Sequence, residues 1–158
     1  MLHLILGTMK AGKSTKLLSL AKEFSTQGVA LIAPNVSKRE FFARNVENCL
    51  EVYDESFDYA NNKIVLIDEI QFFKKEYIQA IINNRNNYNF YIAGLLSNIH
   101  HQMWENVVKL LPYADNVELR YANCDICGCK KAKYHIGSGL IGDDYLVICE
   151  KCKIKEKR

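Results

Sequence analysis

Gly7-Thr8-Met9-Lys10-Ala11-Gly12-Lys13-Ser14 decides how this chain is read. The octapeptide fits G-x-x-x-x-G-K-[ST]. It stands between an apolar run, Leu2–Leu6, and a segment, Ser14–Thr26, whose Leu17, Leu18, Ala21 and Phe24 fall on one helical face. A strand ending in this loop and a helix starting from it make a phosphate cradle. The two glycines let the backbone wrap with its N–H groups pointing inward at an anion, and the helix adds its positive dipole end and unpaired amides. Lys13 supplies a point charge for the β- and γ-phosphates, and Ser14 offers a hydroxyl to Mg²⁺. Glycine makes up only about 7% of ordinary sequence, so a chance match in this strand–helix setting is rare.

Outward from the loop, short apolar runs alternate with longer helix-like segments, the mark of an α/β fold with a parallel sheet. The expected strands are Leu2–Leu6, Val29–Ala33 (closed by Pro34), Ile64–Ile67, Phe90–Ala93 and Val117–Arg120. Helices are expected over Ser14–Thr26, Lys74–Asn84 and Met103–Leu111, the last ending before Pro112. Between Pro34 and Lys63 the pattern allows a helix over Lys38–Asn48 and a short strand over Leu50–Tyr53. From Cys124 onward, cysteines, glycines and lysines replace the periodic pattern. The reading is therefore a nucleotide-binding α/β domain over residues 1–121 and a small second domain over 122–158. Its basic end, Lys151–Arg158, is expected to be solvated.

The run Ile64-Val65-Leu66-Ile67 is continuously apolar, as a strand covered on both faces should be, and it leads directly into Asp68-Glu69. A carboxylate at the end of a buried parallel strand faces the crevice where open α/β sheets bind ligands. Asp68 is the natural partner of Ser14 in holding Mg²⁺, and Glu69 is then free to act as a base. Such a pair could deprotonate a substrate hydroxyl, making a kinase, or orient a water, making an ATPase. The pair alone does not choose.

Five of the six cysteines crowd into Cys124–Cys152, and Cys49 stands apart. Cys124-x-x-Cys127 and Cys149-x-x-Cys152 suit four thiolates around tetrahedral Zn²⁺, and four protein ligands close the site, so the metal would be structural. Cys129 is an alternative ligand, but with Cys127 it breaks the two-residue gap. His100-His101 make a poor chelating pair, because neighbours on a helix point about 100° apart.

The bulk properties exclude more than they assign. The chain has 158 residues, a net charge of +3, 49% hydrophobic and 25% charged residues. The mild charge gives no strong case for nucleic acid or an anionic membrane as a partner. No stretch reaches the roughly 18 apolar residues a membrane-spanning helix needs. The apolar start lacks the marks of a signal peptide, which together with the paired cysteines points to a reducing cytoplasm.

Gly7–Ser14, Asp68-Glu69-Ile70-Gln71-Phe72-Phe73, Gly94-Leu95 and the paired cysteines, in this order, resemble the cellular-type (type II) thymidine kinases. The likeness runs from the first strand to Cys152. It implies a RecA-like P-loop core, a zinc-bound lasso closing over a small-molecule deoxynucleoside, transfer of the ATP γ-phosphoryl group to a 5′-hydroxyl, and a homotetramer. It implies Glu69 as catalytic base. Arg39, in the loop after Ala33-Pro34, would offset charge on the transferring group. Thr15 and Gln71 join the octapeptide and Asp68 on the cofactor side. Met9, Phe72, Leu95, Ile99, Trp104 and Tyr145 fall on the nucleoside side. The main chain of Leu140-Ile141-Gly142 resembles the lasso strand that hydrogen-bonds thymine.

The chain departs from the family pattern at Ser37, where the Asp of Asp-x-Arg is usual. It departs again at Leu96, where Asp follows Gly-Leu, and at Ile99, where an aromatic is usual; His100-His101 replace basic and polar residues, and the lasso is shorter. These changes leave the phosphate cradle intact and bear on thymidine specificity and rate. Two other readings stay open: a P-loop ATPase coupled to nucleic acid, and a nucleotide-binding relative with weakened catalysis.

Overall fold

The computed structural model describes residues 1–34, 52–53, 62–137 and 145–156. The expected helix over Lys38–Asn48, Ser37, Arg39, Cys49 and Leu140-Ile141-Gly142 lie outside the described residues. Six strands form one sheet: β1 (Leu2–Gly7), β2 (Val29–Ile32), β3 (Val52–Tyr53), β4 (Ile64–Ile67), β5 (Asn89–Leu95) and β6 (Asn116–Arg120), in the order β3-β2-β4-β5-β1-β6. Every pairing in it is parallel. Parallel neighbours need crossover connections. The described ones are α1 (Lys13–Glu23), α2 (Lys75–Asn84) and α3 (Glu105–Leu110).

Side chains alternate across a strand, so a sheet covered on both faces must be apolar on both. Leu4 and Leu6 of β1 pack with Tyr77, Ile78 and Ile81 of α2 and Val107 and Leu110 of α3. Ile5, between them, turns to the other face and meets Leu17, Leu20 and Ala21 of α1. Ile64–Ile67 is buried along its whole length for the same reason. Burying one such Leu or Ile side chain contributes about 1.5–3 kcal/mol.

Several boundaries differ from expectation. The first helix stops at Glu23, and a 3₁₀ turn over Ser25–Gln27 follows, leading to Gly28 at φ 76°. The helix expected from Met103 starts at Glu105, because Trp104 is extended (φ −68°, ψ 138°) and Met103 bridges back to Ser97. Pro112 does not end the chain's turning. It opens a 3₁₀ turn, Leu111–Tyr113, where a missing N–H leaves no bond unmade. His100-His101 lie in a turn, not on a helix, and His101 has φ 62°.

The C-terminal module contains an antiparallel pair, β7 (Tyr134–Ile136) and β8 (Leu146–Ile148), followed by α4 (Glu150–Glu156). The end expected to be a solvated tail is thus helical as far as Glu156. Its Cys152 is buried in a small core with Ala122, Cys124, Ala132, Val147, Ile148 and Cys149. Ala11 of the phosphate loop belongs to that same core. Among the described residues no helix is long and apolar enough to cross a membrane.

Candidate active site

β1 and β4 end on the same edge of the sheet because all the strands are parallel. The loop after β1 closes through Gly12, whose φ of 72° is a left-handed conformation that suits glycine, and α1 begins at the next residue. The first-turn amides of that helix have no carbonyl partners within it and are free to bind an anion. Lys13 is buried. Its ammonium donates to the carbonyl of Thr8 across the loop. Burial pulls the Lys13 pKa down, while the carboxylates of Glu69 and Asp68 oppose that.

The tip of β4 meets this loop directly. Ser14 Oγ donates to Asp68 Oδ2 at 2.6 Å, and Asp68 is 1% exposed. Burial pushes the Asp68 carboxyl above its ordinary range, and the Ser14 hydroxyl and Lys13 draw it back. A hydroxyl and a carboxylate are the hard oxygen donors that suit Mg²⁺.

Glu69 holds a left-handed backbone (φ 56°, ψ 42°) that residues with a Cβ seldom adopt, at the start of a 3₁₀ turn, Ile70–Phe72. Such strain tends to gather where function demands a particular aim. Gln71 sets that aim: its Nε2 donates to Glu69 Oε2 at 2.6 Å, and its Oε1 accepts from the Leu95 N–H at 3.1 Å. Expected on the cofactor side, Gln71 thus lies between Glu69 and the end of β5. Burial and the neighbouring Asp68 charge push the Glu69 carboxyl from its ordinary 4.5 up to about 7. The turn fits against β5 only because residue 94 is glycine. A Cβ there would lie 2.5 Å from Ile70 Cγ2. Asn106 of α3 secures the turn by donating to the carbonyls of Ile70 (2.9 Å) and Phe73 (2.8 Å).

Beside this centre opens a cleft whose empty space, open in part to solvent, is about 380 Å³. Met9, Leu95, Ile99, Trp104 and Tyr145, all expected on the nucleoside side, line it together. Phe72 is not in the lining, but stands edge-on to Trp104 with ring centroids 5.8 Å apart. Ser97, Asn98 and His135 also line the cleft and carried no sequence signal, and His100, noted as a departure from the family pattern, lines it with them. Asn98 shapes the turn here, its Oδ1 accepting from the N–H groups of His100 (2.9 Å) and Gln102 (3.0 Å).

Arg120, at the end of β6, was also missed. Its Nε donates to the Ala11 carbonyl at 3.1 Å, and Glu118 holds its Nη1 at 2.7 Å. Ala11 C=O and Gly12 N–H share one peptide unit, so this contact grips the loop from outside and polarises an amide of the cradle. Lys10 adds an ion pair to Asp125 at 3.0 Å.

The sulfurs of Cys124, Cys127, Cys149 and Cys152 all lie within 4.8 Å of one another, and Cys129 is not in the set. A tetrahedron with Zn–S bonds of about 2.3 Å has sulfur–sulfur edges of about 3.8 Å. Cys127 Sγ and Cys149 Sγ are 3.7 Å apart, so the thiols fit zinc. Among the described residues no other group of three or more His, Cys, Asp or Glu converges in this way.

The thymidine kinase family model matches residues 1–153 of this chain. A thymidine kinase of Mycoplasma genitalium is 30% identical over 80% of the chain, which spans 65% of that protein's length, just under two thirds. The thymidine kinase of myxoma virus is 29% identical over 96% of this chain and 94% of its own. That of Amsacta moorei entomopoxvirus is 25% identical, covering 96% of both chains. The match is near full length and carries the phosphate loop, the acidic strand end and the four cysteines in one order. The chain belongs to the thymidine kinase family.

Proposed function

We propose that this protein transfers the γ-phosphoryl group of ATP to the 5′-hydroxyl of thymidine. Family membership and the names of its relatives support a thymidine kinase function. The observation that carries the mechanism is the 2.6 Å contact between Ser14 and Asp68 with Glu69 beside it, next to a cleft lined by aromatic and apolar side chains. In this reading Lys13 leaves the Thr8 carbonyl for the β- and γ-phosphates, and the loop amides bind their oxygens. Ser14 and Asp68 hold Mg²⁺, which neutralises charge on the phosphate oxygens when bound.

Glu69, held by Gln71, takes the proton from the substrate hydroxyl. A carboxyl titrating near 7 is close to the optimum for a base that works at neutral pH. Met9, Leu95, Ile99, Trp104 and Tyr145 clasp the base, and the main chain of Leu140-Ile141-Gly142 hydrogen-bonds it. Arg39 offsets charge on the transferring group. Cys124, Cys127, Cys149 and Cys152 hold a structural Zn²⁺, which braces the wall of the cleft that Tyr145 supplies. A homotetramer and a cytoplasmic setting belong to the same reading.

Incubation of the zinc-loaded chain with γ-labelled ATP, Mg²⁺ and each deoxynucleoside in turn tests the assignment. We expect label in thymidine monophosphate above all other products. Release of labelled inorganic phosphate at the same rate with and without thymidine would sink it.

A further inference from the structure

His135 is the one buried histidine beside the cleft, 4% exposed, and phosphoryl transfer as described gives it no task. It is delivered by β7, from the C-terminal module. Nε2 accepts from the Met9 N–H at 3.0 Å. A ring nitrogen that accepts from an amide carries no proton, so the imidazole is the neutral Nδ1–H tautomer. The Ser97 backbone acts on the ring in the sense that favours protonation, as a carbonyl facing the Nδ1–H does. Burial, with Lys13 and His101 nearby, pushes protonation of the ring down to about 4, which keeps the bridge neutral at any pH where the protein works.

The two contacts reach two segments that line one cleft. Met9 is in the phosphate loop, and Ser97 begins the turn after β5 that carries Asn98, Ile99 and His100. The ring also stands nearly perpendicular to Tyr145, with centroids 6.3 Å apart. One side chain therefore sets the separation of three segments that face the same space. Lys13, Ser14 and Asp68 lie elsewhere along the loop and at the tip of β4, and none of them bonds His135.

We propose that His135 is a positioning residue that fixes the width of the nucleoside cleft by spanning the Met9 N–H and the Ser97 carbonyl, and so governs affinity for the nucleoside and not for the triphosphate. The inference rests on the thymidine kinase reading. A merely structural histidine would lower thermal stability on substitution without separating the two ligands.

The test measures dissociation constants on the full zinc-loaded chain, for MgADP alone and for thymidine in the presence of MgADP. H135A, H135Q and H135N are compared with the parent. Gln can return an acceptor to the Nε2 position and Asn a donor to the Nδ1 position. We expect H135A to weaken thymidine binding about tenfold, the loss of one well-made hydrogen bond, with MgADP binding unchanged within twofold. H135Q and H135N should each recover part of the loss. In amide NMR spectra the Met9 signal should move in H135A and H135N and stay near its place in H135Q. The proposal is overturned if the folded variants bind thymidine within twofold of the parent, or if both ligands weaken together. If H135A does not fold, H135Q and H135N decide by the same criteria. A parent chain that binds MgADP but no deoxynucleoside refutes the kinase reading itself, and the role of His135 falls with it.

Discussion

Replacing Glu69 by Gln should make the protein slower and more stable at once. Folded, the Glu69 carboxyl titrates near 7; unfolded, it returns to its ordinary 4.5. Between those values the folded state binds more protons than the unfolded one, so stability is full below about 4.5, falls as pH rises to about 7, and stays reduced above it. The displacement corresponds to at most about 3 kcal/mol. Gln cannot ionise, so E69Q escapes that penalty at pH 8 and gains only about a quarter of it at pH 5. In a domain of this size each kcal/mol moves Tm by about 2–4 °C. Tm by calorimetry at the two pH values should therefore rise several times more at pH 8 than at pH 5, where about 2–3 °C is expected. The same substitution removes the base, which should lower kcat by about 10²–10⁴-fold. Equal Tm changes at both pH values would refute the burial argument, and an unchanged kcat would refute the assignment of the base.

R120A should raise KM for MgATP about three- to tenfold, because it releases the Ala11 carbonyl and depolarises the Gly12 amide, while R120K should recover part of the effect; steady-state kinetics at saturating thymidine check this. G94A places a methyl 2.5 Å from Ile70 Cγ2 and should destabilise by about 1–3 kcal/mol in denaturant melts, with kcat falling too, because the turn that aims Glu69 must shift. Stripping metal with a chelator should release one Zn²⁺ per chain, lower Tm and weaken MgADP binding, since Ala11 and the cysteines share a core; elemental analysis and titration calorimetry read both. On the acid side, kcat/KM should fall as Glu69 is protonated below about pH 7, and a profile flat from pH 5 to 8 would contradict its role.

What could be read from the sequence was whatever is written contiguously. The phosphate loop, the apolar strand ending in Asp68-Glu69 and the two C-x-x-C units each need fixed residue types at fixed spacing, so they announce themselves in the chain. Strands of the central sheet were legible because burial on both faces demands unbroken apolar runs, as in Ile64–Ile67. The short β7 and β8 were not. Three residues cannot show an alternation, and their stability comes from the cysteine core beneath them. Arg120 and His135 were invisible for a different reason. Each acts on a phosphate-loop backbone atom more than 100 positions away, and only the fold creates that contact. The motif of Gln71 shows its proximity to the acidic pair but not its bond to Glu69, which only the fold reveals.

The meeting of the phosphate loop and the β4 tip around one nucleotide is tested most directly by a crystal structure of the full chain grown with Mg²⁺, a non-hydrolysable ATP analogue and thymidine. We expect Lys13 Nζ on the β- and γ-phosphates, the metal in contact with Ser14 Oγ on the Asp68 side, and the 5′-hydroxyl of the nucleoside within hydrogen-bonding reach of Glu69. A triphosphate bound away from Gly7–Ser14, or a nucleoside whose hydroxyl points away from Glu69, would contradict it.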